Sequence, residues 1–309
     1  MRNTILLFFL TGINWLNADD AMRMAVQRAI PLIEKSAATY IEERSCFSCH
    51  HQALTVMALG RAKLAEFTVQ DNIVSEQTKF TMEYFTDRKD RLPKGEGVPG
   101  GSYSAGYALA GLAAAKEPAN ETTQGLVKYL VKTQKKDGRW RIRTHRPPLE
   151  DSDFTATALG LKATAKTDHA KKASQWLVKT QAKSTEDYVF KILGLHWAGM
   201  ETKVAAKALL NRQREDGGWA QLTDMKSDAY ATGQALTALK QSGLLKADSP
   251  QYKRGSEWLL KNQRPDGSWH VKTRSKPIQK YFESGFPHSK DQFISISATC
   301  WAVMALLAK

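Results

Sequence analysis

Residues 208–219 read ALLNRQREDGGW, and this stretch decides the fold because it recurs along the chain. Residues 125–140 read GLVKYLVKTQKKDGRW, and residues 255–269 read GSEWLLKNQRPDGSW. In each block a helix with one polar face ends at a glutamine, Asp-Gly supplies a turn, and a tryptophan follows. A fourth copy, ASQWLVKTQ at 173–181, keeps the helix and the glutamine but lacks the Gly-x-Trp. Such repeats predict stacked helix pairs with a tryptophan packed between neighbours.

A second kind of helix follows each of these blocks. Residues 104–115, SAGYALAGLAAA, and 155–163, TATALGLKA, are apolar on nearly all sides, which is typical of helices buried in an inner layer. The helices with Lys and Glu on one face suit an outer layer. This alternation predicts an all-α, single-domain (α/α)6 toroid over residues 19–309. The expected inner helices are 50–63, 104–115, 153–165, 187–198, 228–241 and 295–307, and the outer ones are about 20–43, 72–89, 121–134, 168–181, 202–213 and 250–263.

The glutamine-to-tryptophan blocks resemble the QW repeats of squalene-hopene and oxidosqualene cyclases, and more broadly the prenyltransferase/terpene-cyclase toroid superfamily. Class II cyclases protonate an isoprenoid alkene with an Asp of a D-x-D-D-T-A motif. Residues 150–156, EDSDFTA, are similar, which implies Asp151 and Asp153 as the acids, with Phe154 in place of the last Asp. Two carboxyl groups sharing a proton would supply a general acid. Asp at a helix start is also an ordinary cap, so both interpretations stay open.

Residues 46–50 read CFSCH, the attachment sequence of a c-type haem. Two thiols bind the haem vinyl groups and the histidine binds the iron. At a helix start, positions i, i+3 and i+4 share one side, so Cys46, Cys49 and His50 are expected to face one porphyrin. The sequence therefore predicts one covalent haem c per chain.

Two other interpretations of this motif stay open. Complement-like thioester domains are toroids with Cys-Gly-Glu-Gln at the head of an early inner helix, and Cys49 to Gln52, CHHQ, has the same spacing. A disulfide between Cys46 and Cys49 is the other alternative, although its geometry is tight. The third cysteine, Cys300, lies in an apolar stretch and is expected to be a small buried side chain.

The second axial ligand is expected at the mouth of the ring where the inner helices begin. In a closed ring the sixth inner helix lies beside the first, so the loop YFESGFPHSKDQF at 281–293 would cover the haem motif. His288 in this loop is the first choice for the distal position, and His145 is the second.

Composition and the N-terminus indicate the compartment. The 309 residues are 42% hydrophobic and 25% charged, which is typical of a globular protein, and 3 cysteines are too few for a disulfide scaffold. The net charge of +14 is spread along the chain without an arginine-rich arm, so no nucleic-acid partner is expected. Residues 1–18, MRNTILLFFLTGINWLNA, predict a secretory signal cleaved near Ala18, with an uncleaved anchor as the alternative.

The sequence thus favours a periplasmic or secreted monomer that carries haem for electron transfer, redox chemistry or sensing, with an unidentified redox partner. An isoprenoid-binding, cyclase-like enzyme using Asp151 and Asp153 is the main alternative, and it would allow peripheral contact with a membrane. A thioester or interaction module at Cys49 and Gln52 is the third.

Overall fold

A computed structural model describes residues 18–277 and 280–307. These residues form twelve α-helices and no β-strand beyond a single bridge between Arg146 and Glu150. The helices are α1 (Ala18–Glu43), α2 (Leu54–Leu64), α3 (Asp71–Thr86), α4 (Ser102–Ala114), α5 (Glu121–Thr133), α6 (Asp153–Ala163), α7 (Asp168–Lys179), α8 (Thr185–Trp197), α9 (Lys203–Leu210), α10 (Ala229–Gln241), α11 (Pro250–Asn262) and α12 (Gln292–Leu306). The all-α, single-domain prediction is confirmed. The predicted signal segment lies outside the described residues, apart from Ala18.

The even-numbered helices form the inner layer of a closed ring. Each contacts the next in chain order, and α12 contacts α2, which closes the circle. The odd-numbered helices pack outside them. Inner helices such as α4 and α12 are buried along nearly their whole length, because small and apolar side chains occupy all of their faces. Within the described residues, no helix is both long enough and apolar enough to span a membrane.

The tryptophans of the three complete repeats fix the inner layer to the outer one. Trp140, Trp219 and Trp269 are 0–1% exposed. The indole nitrogen of each donates to a carbonyl near the end of the preceding outer helix, at 2.8, 2.9 and 2.8 Å. The backbone nitrogen of each donates to a threonine hydroxyl of the next inner helix, at 3.0, 2.9 and 3.2 Å. The prediction that these side chains wedge between repeats is confirmed.

The repeat glutamines connect each loop to the following outer helix. The side-chain amide of Gln213 donates to the carbonyls of Gly217 and Gln251, both at 2.8 Å. Gln263 makes the same pair of bonds, but its second acceptor is the carbonyl of Ala25 in α1, at 2.8 Å. The last repeat therefore bonds to the first outer helix, and the repeat motif itself closes the ring.

Candidate functional site

The haem-type motif lies at the mouth of the ring where the inner helices begin, here called the N-terminal mouth. Ser48 is extended (φ −129°, ψ 126°), and its hydroxyl accepts from the backbone nitrogen of His51, so the helix starts at Cys49. Cys49–Ala53 form one π-helical turn before α2, and such turns are frequent at functional sites. Cys46 precedes the helix in a non-helical segment. The expectation that both cysteines share the first helical turn is therefore wrong for Cys46, because the cap falls between them.

The two thiols are unpaired and face different surroundings. The sulfur of Cys46 lies 3.2 Å from the hydroxyl of Tyr40 in α1. Cys49 is 5% exposed, and its sulfur lies 3.9 Å from Nδ1 of His50. Burial and then the charge of Glu150 raise the pKa of the Cys49 thiol to about 12, so it stays protonated at neutral pH.

Both histidines of the motif are held neutral. Burial and the charge of Arg146 lower the pKa of His50 to about 3. His51 is 1% exposed, stacks on Tyr40 at 4.4 Å between ring centroids, and neither of its ring nitrogens has a hydrogen-bond partner among the described residues. A neutral imidazole offers a lone pair to a metal, so His50 has the protonation state that an iron ligand needs.

The side-chain amide of Gln52 is engaged in two hydrogen bonds. Its side-chain oxygen accepts from the backbone nitrogen of Ser48 at 2.7 Å, and its nitrogen donates to Gln77 of α3 at 3.1 Å. The amide that a thioester would use is thus tied to the outer layer, whereas Cys49 lies near Tyr103 of the inner helix α4. A thioester with Cys49 would therefore require the Gln52 amide to give up both of these hydrogen bonds.

The 281–293 loop covers the motif, as expected. Phe282 packs edge-on against Tyr40 at 5.8 Å, and the ring of Phe293 lies 5.9 Å from that of His50. His288, the expected distal ligand, is engaged elsewhere: its Nε2 lies 2.7 Å from the Ser268 hydroxyl, and its ring packs on His270 at 4.6 Å.

His145 and the two aspartates of the cyclase-like motif form ion pairs at the same mouth. Nδ1 of the exposed His145 lies 2.8 Å from Asp151, whose other oxygen is 4.0 Å from Arg274. Asp153 accepts from the backbone nitrogen of Ile142 at 2.7 Å and lies 3.6 Å from Arg139. The backbone bond ties Asp153 to the loop that precedes α6.

Glu186, at the start of α8, is the buried acid of the lumen. It is 5% exposed, and its two oxygens accept from Thr155 at 2.7 Å and from the Tyr230 hydroxyl at 2.9 Å. Burial raises its pKa to about 7, and those hydrogen bonds oppose only part of the rise. At neutral pH a large fraction of Glu186 therefore carries a proton that it can donate.

Glu186 borders a small polar cavity that opens toward the N-terminal mouth. The cavity has a volume of about 140 Å³, and Asp151, Gln221 and Arg274 also line it. Its polar walls and its size suit a few water molecules, which can exchange protons with the carboxyl group.

The opposite end of the lumen, the C-terminal mouth, holds a larger apolar chamber. It has a volume of about 420 Å³, within the range of small-molecule sites. All six inner helices contribute to its wall, for example through Met57, Tyr107, Leu159, Phe190, Gln241 and Trp301. Phe190 lies one helical turn beyond Glu186 on α8, and burial and then the charge of Glu186 raise the pKa of Tyr107, so the acid lies near two residues of the chamber wall.

The sequence alone assigns no role to Glu186. It stands beside Asp187, whose side chain completes a capping box with Ser184. Two acids at a helix start are usually caps, and the sequence does not tell which of them turns inward. The apolar residues that follow these two acids predict a helix buried on all sides. This pattern could have indicated that one of the acids is buried.

In the fold comparisons, the chain is similar to known α/α toroids. The type II terpene cyclase MstE from Scytonema, in a variant solved with geranylgeranyl dihydroxybenzoate (substrate), matches with a TM-score of 0.61 and 16% identity over 94% of this chain and 98% of that chain. An ent-copalyl diphosphate synthase from Streptomyces platensis matches with a TM-score of 0.53 and 18% identity over 84% of this chain and 50% of that chain. A possible member of the GH105 family from Salmonella enterica matches with a TM-score of 0.58 and 11% identity, over 96% and 95%.

The fold is therefore the α/α toroid that terpene cyclases share with other proteins, and at these identities the likeness concerns fold alone. In sequence, residues 198–309 match the squalene-hopene cyclase C-terminal domain family, which supports the resemblance seen in the QW repeats. No curated protein matches the chain in sequence.

Proposed function

We propose that this protein is an enzyme that binds an apolar, isoprenoid-type chain in the lumen of the ring and acts on it by proton donation from Glu186. The observation that carries the proposal is the adjacency of two features. An apolar chamber of about 420 Å³ has Phe190 in its wall, one helical turn along α8 from Glu186, a buried carboxyl group with a pKa of about 7. A protonated acid at the end of an apolar space is the arrangement that acid-catalysed alkene chemistry requires.

The chemistry needs no co-substrate. The Glu186 proton adds to an alkene carbon, the chain carries the resulting positive charge while a ring closes, and loss of a proton from the chain restores an alkene. Thr155 and Tyr230 hold the carboxyl group in place through their hydrogen bonds. The aromatic faces of Tyr107, Phe190 and Trp301 in the chamber wall stabilise a cation near them. Water in the polar cavity returns the proton to Glu186.

This proposal moves the acid from the aspartates that the sequence favoured to Glu186. Asp151 and Asp153 are paired with guanidinium groups, whereas Glu186 is shielded from solvent. The likeness to MstE supports the use of a single ring, because that cyclase is covered over 98% of its length.

The test is product formation from prenyl substrates by the purified chain. Geranylgeranyl diphosphate, squalene and geranylgeranyl dihydroxybenzoate are incubated separately, and products are analysed by gas or liquid chromatography with mass spectrometry. Glu186→Gln should lower the rate by about 10²- to 10⁴-fold, the usual contribution of a general acid. Glu201→Gln, an exposed acid on the far side of α8, is the control. If Asp153→Asn abolishes turnover and Glu186→Gln does not, the acid is wrongly assigned; if no substrate is converted, the proposed activity fails.

We also propose, from a separate observation, that Cys46, Cys49 and His50 hold a c-type haem. Both thiols are unpaired, and His50 beside them is neutral and half-buried at the mouth of the ring. This donor set fits the group: the thiols would hold the porphyrin and His50 the iron, with His288 or His145 as the second ligand. When bound, haem would supply one-electron transfer. Haem of this type is attached after export, so residues 1–18 would direct the chain to the periplasm.

The haem proposal is tested by expression with a cytochrome c maturation system in an exporting host. We expect a reduced-minus-oxidised spectrum with a Soret band and an intact mass increased by one haem. Cys46→Ser or Cys49→Ser should weaken attachment, whereas Cys300→Ser, another buried thiol, should not. Exported protein with an unmodified mass would contradict the proposal.

A further inference from the structure

We propose that the apolar chamber binds a single-chain amphiphile whose anionic head, a phosphate or a carboxylate, is held at the C-terminal mouth by Arg61 and Lys162. This inference rests on the proposed use of the lumen for an apolar chain and adds the chemistry of the head group. Arg61 belongs to α2 and Lys162 to α6, and both line the chamber.

The two cations have no counter-charge among the described residues. Arg61 donates to the carbonyl of Met304 at 3.3 Å, and the Lys162 ammonium lies 4.5 Å from the ring centre of Trp197. Neither forms an ion pair with a described carboxylate. Burial lowers the pKa of both groups, and the charge of Arg61 lowers that of Lys162 further, so the two charges lie near each other. Like charges without an anion between them are unfavourable, and an anionic head would reverse this.

The wall between the two cations leaves room for a head group. Helix α4 stands between α2 and α6 in the ring and contributes Ala110, Ala113 and Ala114 to the chamber. Alanine side chains neither fill the gap nor offer hydrogen bonds. The charges therefore face an open space bordered by methyl groups, which suits an anion followed by an apolar chain.

The inner part of the chamber suits the tail. The lining residues of α2 run from Met57 to Leu64, which at 1.5 Å per residue gives a depth of roughly 10 Å. Met57, Leu159 and Leu193 line the chamber with apolar side chains that can contact such a tail.

The experiment compares head groups on matched tails. The purified full chain is titrated by calorimetry with farnesyl monophosphate and farnesol, and with laurate and dodecanol, all below their critical micelle concentrations. We expect at least one anionic amphiphile to bind about tenfold or more tightly than its alcohol, with a difference that shrinks as ionic strength rises. The prenyl and fatty-acyl pairs distinguish the two sources of the anion.

Charge-removing variants locate the head group. Arg61→Gln and Lys162→Gln should each weaken binding of the anionic ligand about tenfold and leave the alcohol unchanged. Arg23→Gln and Lys240→Gln are matched controls, because Arg23 also donates to a carbonyl at 3.3 Å and Lys240 also lies over an aromatic ring, at 5.1 Å, but neither lines the chamber. Ala113→Trp, at an exposed position of the chamber wall, should block both ligand types.

The outcomes separate this inference from the proposed enzyme. Equal binding of anions and alcohols, or no binding of either, overturns the head-group site. If the anionic ligands bind as expected but nothing is converted, the enzymatic proposal fails and the head-group site stands.

Discussion

The two mouths of the ring are built differently. At the N-terminal mouth, three long connections, 134–152, 213–228 and 263–291, carry the glutamines and tryptophans that bond the layers together. At the C-terminal mouth the connections are short, for example 115–120 and 164–167. The bonds made by the repeat motif are thus concentrated at one end of the ring. At the other end the connections are short, and the lumen holds the apolar chamber.

The largest expected effect tests this difference in construction. Trp219→Ala at the N-terminal mouth should lower the free energy of unfolding by about 3–5 kcal/mol, because it empties a fully buried site and removes an indole hydrogen bond. Trp197→Ala, at the half-buried rim of the C-terminal mouth, should lower it by less than about 2 kcal/mol. Urea unfolding measures the stability of both variants. Equal losses of stability would contradict the difference in construction between the two mouths.

A smaller effect concerns pH. Burial raises the pKa of Glu186 from 4.5 to about 7, so the folded state binds a proton that the unfolded state has released. The stabilisation is full below pH 4.5 and is lost as pH rises to about 7, by about 3 kcal/mol. Burial also raises the pKa of Asp228, at the same mouth, to about 6. Its contribution to stability is therefore lost in the same direction as pH rises.

Unfolding of Glu186→Gln from pH 4 to pH 8 isolates the contribution of Glu186. The difference in the free energy of unfolding between wild type and variant should change across this pH interval by most of the loss predicted above for Glu186. A constant difference would show that folding does not raise the pKa of Glu186, and it would also weaken its assignment as an acid.

The smallest effect compares a complete repeat with the incomplete one. Gln213→Ala removes three hydrogen bonds, one within its own loop and two to the next outer helix, and should lower the free energy of unfolding by about 1–2 kcal/mol. Gln181 belongs to the repeat without Gly-x-Trp and is exposed. Gln181→Ala should therefore change the free energy of unfolding by less than about 0.5 kcal/mol. A comparable loss of stability at both positions would show that the contribution of a repeat glutamine does not depend on the Gly-x-Trp that follows it.

The fold was largely predictable because its signals are local. The observed bounds of α5, Glu121–Thr133, and α10, Ala229–Gln241, lie within a residue or so of the predicted ones. The exception that matters is the first inner helix, where the Ser48 cap starts a π-helical turn at Cys49 and leaves Cys46 outside. The spacing of the motif residues does not show which residue caps the helix, because several neighbouring residues could do so.

The candidate site was only partly predictable. The CFSCH motif was visible, and so was the loop that covers it. The partners of His288 and the direction of Gln52 were not, because Ser268 and Gln77 lie 20 and 25 residues away in the chain.

The alternation of small, apolar and charged residues along each segment is enough to assign a helix to the inner or the outer layer, because burial follows from it. Which acid is buried and which cations face the chamber depends on how the closed ring brings distant segments together. Glu186 meets Thr155 and Tyr230 across 31 and 44 residues of chain, and its pKa depends on the water that those neighbours exclude. Desolvation is a property of the closed ring, so no single segment encodes it.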